Sequence, residues 1–383
     1  MQGYGMPPHG GYGMPPQYIP AHGPGGYAQP GYAQPGYAQA GYAQAGYAQP
    51  GYAQQAGYAQ NPMAAYTWSN YGSNLNLQQV DNDCTALRKA MKGLGTDEAT
   101  IINVLTQRNN EQRYMMKQRY QALFQRDLIK DLKSELHGHF EDAVIALLDS
   151  PYELDCKGLY NAMHRAGTDE GALIEILATR PSYQLAQDKL LFQQLYNKDL
   201  VSYVQSETSG HFRKILLALL QCQRHDFSYP INPQELQSEA HQLYRGGAAR
   251  WGTDESVFTR IFATRSPAEI AYIAQCYQQI AGVDLYTSLK KEFSGNAEKA
   301  LCGIFYASIN PPEYFATRVR DAVQGAGTKD TNLIRVIVSR ADYDLGQIKQ
   351  AYRQLYNRDM ITDVQNDTSG DYKKILTALL TRC

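Results

Sequence analysis

The sequence predicts an all-α protein of four repeated units, each about seventy residues and five short helices long, preceded by a disordered tail. Three observations predict it. First, a Gly-Thr pair recurs at Gly95-Thr96, Gly167-Thr168, Gly252-Thr253 and Gly327-Thr328, with an acid forty residues past each glycine: Glu135, Glu207, Glu292 and Asp367. Second, an arginine stands thirteen past each of these glycines (Arg108, Arg180, Arg265, Arg340) and a further glycine three past each acid (Gly138, Gly210, Gly295, Gly370). Third, apolar residues after Asp81 recur at helical spacing, as in Ile101, Ile102, Val104, Leu105 and then Val144, Leu147, Leu148, while alternating strand-like runs are few.

The tail spans 1–75. The first acid of the chain is Asp81 and the first base Arg88. From Tyr27 the tail repeats GYAQP or GYAQA every five residues. Glycine and proline in these units oppose helix and sheet, and with no branched aliphatic in any of them little apolar area offsets chain entropy. Disorder follows. Such a segment serves either as a flexible spacer or, with evenly spaced tyrosines on an uncharged backbone, as a self-associating or partner-binding element.

The units are expected at 81–150, 151–224, 235–309 and 312–383, their glycine anchors being separated by 72, 85 and 75 residues. The longest linker, about Cys222 to Gln234, carries Pro230 and Pro233 and divides the units two and two. Within a unit the Gly-Thr segment turns the first helix into the second, with Thr96, Thr168, Thr253 and Thr328 as N-caps. Gly138, Gly210, Gly295 and Gly370 stand where the fourth helix would end in a left-handed residue. Each of the four arginines closes an apolar stretch, where a cation suits the helix C-terminus and can pair with a carboxylate in its own repeat.

Composition excludes several function classes. The formal net charge of -1, over 383 residues, argues against avid DNA or RNA binding. Six scattered cysteines with no CxxC pair suit free thiols in a reducing cytosol. No apolar run nears the roughly 18–20 residues of a spanning helix, and the start MQGYGMPPHG lacks the basic and apolar regions of a signal peptide, so a membrane role would be peripheral.

The repeated motif points to a cation. In MKGLGTDE the glycines Gly93 and Gly95 let the backbone curl and turn carbonyl oxygens towards one point, and Glu135 supplies charge from the far end of the unit. Oxygen donors without His or Cys select Ca²⁺ or Mg²⁺, and a compliant carbonyl loop suits calcium. One carboxylate per ion makes each site weak, on the order of 10⁻⁴ M or weaker. A lipid phosphate filling the open positions would couple calcium and membrane binding.

MKGLGTDE with DLKSELHG, RWGTDE with KKEFSG, and GAGTKD with NDTSGDYKKIL resemble the endonexin repeats of the annexin family, over roughly residues 81–383. The resemblance implies a slightly curved disk of helices whose convex face bridges calcium to acidic phospholipids. It places ligands at the carbonyls of Met91, Gly93 and Gly95 with Glu135, of Gly247, Arg250 and Gly252 with Glu292, and of Val323, Gly325 and Gly327 with Asp367. Repeat two would use Met163, Arg165, Gly167 and Glu207, but Arg165 stands at the first glycine's place, so that site is expected weak or empty. Trp251, inside the third loop, is expected at the lipid headgroups rather than in a core. The resemblance also matches Asp155, Glu175, Arg180 and Arg335 to a central polar passage, with Gly158 at a position that carries an acid in the family. We read these as a polar joint between the halves in preference to an ion pathway.

No enzyme is expected: the eight histidines recur with no serine or cysteine nucleophile, no G-x-S-x-G elbow occurs, and GAGTKD lacks a GK[ST] ending. The function read is calcium-triggered movement from the cytoplasm to acidic membranes, for their organisation, aggregation, trafficking or repair, with lateral self-association open. The alternative is an adaptor whose tail, similar to those of long-tailed annexins, recruits EF-hand or other protein partners or granules while the core anchors it. Without Lys or Arg the tail is not read as binding single-stranded nucleic acid.

Overall fold

A computed structural model describes residues 76–93, 95–164, 167–226, 229–249, 251–325 and 327–382. The tail, and the disorder expected of it, lie outside the described residues. Twenty α-helices and no strands occur among the described residues, five helices to a repeat. Repeat one has α1 (Leu77–Ala90), α2 (Glu98–Thr106), α3 (Asn110–Phe124), α4 (Leu128–Glu135) and α5 (Gly138–Leu148). Repeat two has α6 (Pro151–His164), α7 (Glu170–Thr179), α8 (Ser182–Tyr196), α9 (Leu200–Glu207) and α10 (Gly210–Leu219). Repeat three has α11 (Pro233–Gly246), α12 (Glu255–Thr264), α13 (Pro267–Ala281), α14 (Leu285–Glu292) and α15 (Gly295–Ile309). Repeat four has α16 (Pro311–Val323), α17 (Asp330–Arg340), α18 (Leu345–Tyr356), α19 (Met360–Asp367) and α20 (Gly370–Arg382).

Local signals account for most helix ends, with two corrections. The second helix is capped not by the threonine but by the next residue: Asp97, Asp169 and Asp254 accept from Thr100, Ala172 and Ser256 main-chain N–H groups. These aspartates compete for the same cap, while Thr96, Thr253 and Thr328 are drawn to carboxylates and Thr168 to a main-chain carbonyl, as described below; Lys329 in repeat four makes no side-chain cap. Gly138, Gly210, Gly295 and Gly370 do take positive φ, between 59° and 63°, but each opens the fifth helix rather than ending the fourth. The left-handed helix ends fall instead after the third helix, at Gln125, Asn197, Gly282 and Asn357. Asn or Gly at three of these four places was the available signal.

In every repeat the first helix packs on the second and third, and the expected apolar set (Ile101, Ile102, Val104, Leu105, Val144, Leu147, Leu148) is buried. The linker at 222–234 separates repeats two and three in sequence only. In space α10 packs on α12 and α7 on α15, while α20 packs on α2 and α17 on α5. Repeats two and three thus pair, and repeats one and four share one continuous core that runs from Val80 to Leu380. Chain order limits reach; the choice of partner follows the apolar faces that must leave water. Asp342 pins the second pairing by accepting from the Asn110 main-chain N–H at 2.9 Å, from the buried Arg113 at 3.5 Å and from Arg382 at 2.7 Å.

One core position departs from the repeat. Asp188 on α8 is fully buried with neither carboxyl oxygen hydrogen-bonded, and its register is held by Met116, Ile273 and Ile348 in the other repeats. Burial, then the Asp155 charge, raise its carboxyl well above the usual range, with Arg180 opposing. A folded-state value above the unfolded one, near 4, means that Asp188 is best tolerated in acid and costs progressively more as pH rises towards the folded value. Asp188→Ile is therefore expected to stabilise the chain by about 1–3 kcal/mol, more at pH 8 than at pH 4, in denaturant titrations. An equal gain at both pH values would contradict a titrating carboxyl.

Candidate metal centre

The loop between the first and second helix is closed by a matching main-chain bond in all four repeats. The main-chain N–H of Asp97 reaches back to the Ala90 carbonyl at 2.9 Å, Asp169 to Ala162 at 2.8 Å, Asp254 to Gly246 at 2.7 Å and Lys329 to Ala322 at 2.9 Å. Gly95, Gly167, Gly252 and Gly327 take φ from 81° to 91°, and Gly93 and Gly325 reach 122° and 128°. An L-residue rarely adopts such angles. Arg165 holds the register of Gly93 and Gly325 but lies outside the described residues, as does Arg250 in the longer third loop.

The acid at the end of the fourth helix is brought against this loop by the threonine. Thr96 donates to a Glu135 carboxylate oxygen at 3.3 Å, Thr253 to Glu292 at 2.6 Å and Thr328 to Asp367 at 2.6 Å. These three acids are partly buried. In repeat two Thr168 reaches only the Glu207 main-chain carbonyl, at 3.2 Å, while the exposed Glu207 carboxylate takes a bond from Ser206 at 3.4 Å. In repeat three the loop also approaches the acid directly: a Cβ on Gly247 would lie 3.2 Å from Glu292 Cγ and Cδ. The structure thus juxtaposes loop and carboxylate in repeats one, three and four, and leaves Glu207 apart.

The donors fit a hard cation. Each centre offers glycine-loop carbonyls (beside Met91, Gly93 and Gly95, or Val323, Gly325 and Gly327) and one carboxylate, with no sulfur or imidazole. Among the described residues no three His, Cys, Asp or Glu side chains gather as they would in a zinc site. Trp251, beside Gly252 in the third loop, is fully exposed. No helix of the described residues is long and apolar enough to cross a membrane.

The four register arginines sit at the far ends of the second helices. Arg108 pairs with Asp83 at 2.6 Å, Arg265 with Glu239 at 2.7 Å and Glu269 at 3.1 Å, and Arg340 with Asp344 at 2.7 Å. In repeat four Phe315 holds the place of Asp83, and the Arg340 guanidinium lies 4.5 Å from its ring centroid.

The predicted central residues form two buried pairs. Arg180 grips Asp155 with bonds of 2.8 and 2.7 Å, and Gln184 adds a third at 2.7 Å. Arg335 on α17 grips Glu175 on α7 at 2.9 and 2.8 Å, with Arg318 at 3.4 Å, so this pair joins repeats two and four. Burial works against the charge on Glu175, but Arg335, Arg318 and Arg180 outweigh it and hold the carboxyl below its usual range. Gly158 has a spatial reason for lacking a side chain: a Cβ there would lie 2.8 Å from Ile176 Cδ1 and 3.1 Å from Arg335 Cδ.

A family model described as Annexin matches residues 82–147, 154–219, 238–304 and 314–379. Annexin A7 of Homo sapiens is 42% identical over 298 residues, 78% of this chain and 61% of its own length, so the chain spans less than two thirds of that relative. Annexin B10 of Drosophila melanogaster is 42% identical over 302 residues, 79% of this chain and 94% of its own. Among solved structures, annexin III superposes with a TM-score of 0.76 at 38% identity, covering 79% of this chain and 93% of that one. Calcium-bound annexin (Sm)1 superposes with a TM-score of 0.73 at 30% identity, covering 80% and 91%. Four matched repeats, a five-helix unit repeated four times and relatives similar over most of the core establish that the chain belongs to the annexin family.

Proposed function

We propose that this chain binds acidic phospholipid membranes through calcium held at repeats one, three and four. The ligands would be the carbonyls of Met91, Gly93 and Gly95 with Glu135, of Gly247, Arg250 and Gly252 with Glu292, and of Val323, Gly325 and Gly327 with Asp367. The observation that carries the reading is the threonine bond that holds an acid against a curled carbonyl loop in these three repeats and not in the second. When bound, calcium supplies positive charge and open coordination positions for a lipid phosphate. The chain's part is to aim carbonyls and one carboxylate from a shared face and to do no chemistry. Met163, Arg165, Gly167 and Glu207 then mark a repeat that keeps the fold without the ion. The working site is the cytoplasm at rest and the membrane surface when calcium rises. The tail's role as spacer or adaptor, including EF-hand or other partners, rests on the sequence alone.

Full-length protein should pellet with vesicles of phosphatidylserine and phosphatidylcholine only when calcium is present, and not with phosphatidylcholine alone. Pelleting that ignores EGTA would sink the reading. The exposed ring of Trp251 offers a second check. In a Trp68→Phe background, calcium and anionic vesicles together should shift Trp251 emission to shorter wavelength, as an indole moving from water to headgroups does. An unshifted spectrum with bound vesicles would remove Trp251 from the contact.

A further inference from the structure

The candidate sites of repeats one and four rest on the same four-residue cluster. In repeat one Asp131 of α4 accepts from the Tyr120 hydroxyl at 2.8 Å and from Arg126 at 2.7 Å on both oxygens, with Arg88 at 3.6 Å. In repeat four Asp363 of α19 accepts from the Tyr352 hydroxyl at 2.7 Å, from Arg320 at 2.9 Å and from Arg358 at 2.7 and 2.5 Å. The members stand at matching registers from Gly95 and Gly327, and each aspartate is 6% exposed. Asp131 precedes Glu135 by four residues and Asp363 precedes Asp367 by four, so each lies one turn below the acid on the same helix face. Arg88 and Arg320 stand in the last turn of the helix that feeds the loop. The cluster therefore ties the two halves of the site, loop helix and acid helix, by a charge-assisted bond from Arg320 in repeat four and by the 3.6 Å ion pair of Arg88 in repeat one.

Repeat two replaces the whole set. Tyr160, Phe192, Lys198 and Tyr203 occupy the four registers. Tyr160 stacks on Tyr196 with centroids 4.0 Å apart, and the Lys198 ammonium lies 4.0 Å over the Tyr203 ring. The Tyr203 hydroxyl donates to the Met163 carbonyl at 3.3 Å. That carbonyl has the register of the Met91 and Val323 carbonyls. Repeat three has Tyr277 and Ser288 at two of the registers and no ion pair there, but it joins loop to acid by the direct approach of Gly247 to Glu292.

We propose that the Asp131 and Asp363 clusters are positioning devices for calcium binding in repeats one and four, and that Tyr203 disables repeat two by taking the Met163 carbonyl, independently of Arg165. This rests on the calcium reading above. Asp131 and Asp363 touch no ion; they set the distance between the carbonyls and the acid. A rigid loop then meets calcium already shaped, whereas a loosened one loses affinity, as happens when outer partners of a metal site are removed.

The test is calcium titration by calorimetry on the full chain, alone and with phosphatidylserine vesicles, with thermal melts in EGTA alongside. Arg88 and Arg126 are 30% and 51% exposed in their side chains, so Asp131→Asn strands no deeply buried charge. Its melt in EGTA should stay within a few degrees, while calcium affinity at repeat one falls by about tenfold or more. Glu135→Gln is the control and should lose one ion outright. If Glu135→Gln loses an ion and Asp131→Asn shifts nothing, the positioning role is wrong while the calcium site stands. If Glu135→Gln loses none, the calcium reading falls and this inference with it. The second arm gains a site. Arg165→Gly alone should add no calcium, whereas Arg165→Gly with Tyr203→Phe, which keeps the ring and removes the hydroxyl, should add one weak ion as the exposed Glu207 side chain, bonded to Ser206 at 3.4 Å, turns to the freed carbonyl. A full extra ion from Arg165→Gly alone would overturn the part assigned to Tyr203.

Discussion

The triple variant Glu135→Gln, Glu292→Gln and Asp367→Asn is expected to abolish co-sedimentation with phosphatidylserine vesicles at calcium levels that saturate the unmodified protein. Each centre has one carboxylate, and without it only neutral carbonyls face the cation. Each amide keeps the shape of its acid and can still accept the bonds of Thr96, Thr253 and Thr328, so the fold should survive, as its melt in EGTA will report. The size of the effect comes from avidity. Weak bridges on one body multiply when they reach the same plane, gaining on the order of 10²–10⁴ over one alone. Single variants should therefore raise the calcium requirement by steps, and the triple variant should remove binding. Retention of the triple variant on vesicles would mean that the membrane is gripped by something other than these acids.

Glu175→Met is expected to destabilise the core by about 3–5 kcal/mol, the usual cost of breaking a buried pair from one side. Arg335 is 3% exposed and would keep only Asn332 as a side-chain partner, at 2.9 Å, while Arg318 loses its Glu175 bond and keeps Asp321 at 3.1 Å. The double variant Glu175→Met with Arg335→Met should recover most of the loss, since two apolar side chains of similar length refill the space. Urea titration of the three forms measures both steps. If the single and double variants are equally unstable, the pair is not a unit. The pH dependence has a definite sign. The Glu175 carboxyl is held below the unfolded value of about 4.3. Its contribution is thus complete above that value and is lost as pH falls through the lower folded value. In the Met variant this acid-side slope should flatten.

Several features were legible in the chain itself. Helix number and order followed from apolar periodicity and from glycine at fixed places, because an α-helix is specified by neighbours within four residues. The departure of repeat two was visible as Arg165 for a glycine. What escaped was the bond from the Tyr203 hydroxyl to the Met163 carbonyl, because those residues meet across 40 positions of chain. The threonines were misread as caps for a similar reason. In a Thr-Asp pair both residues can cap a helix, and only the acid arriving from the fourth helix decides that Thr96 turns to Glu135 while Asp97 takes the cap.

By itself, then, the sequence determined the repeat, the five-helix unit, the glycine loops and the family. All of these depend on short-range hydrogen bonding and on a period that can be counted. The tertiary structure alone decided that repeat one shares a core with repeat four, that Asp188 is buried without a partner, and which acids are held against their loops. Those outcomes depend on which apolar faces and which charges meet after the chain has closed on itself, and no local window of residues contains both partners.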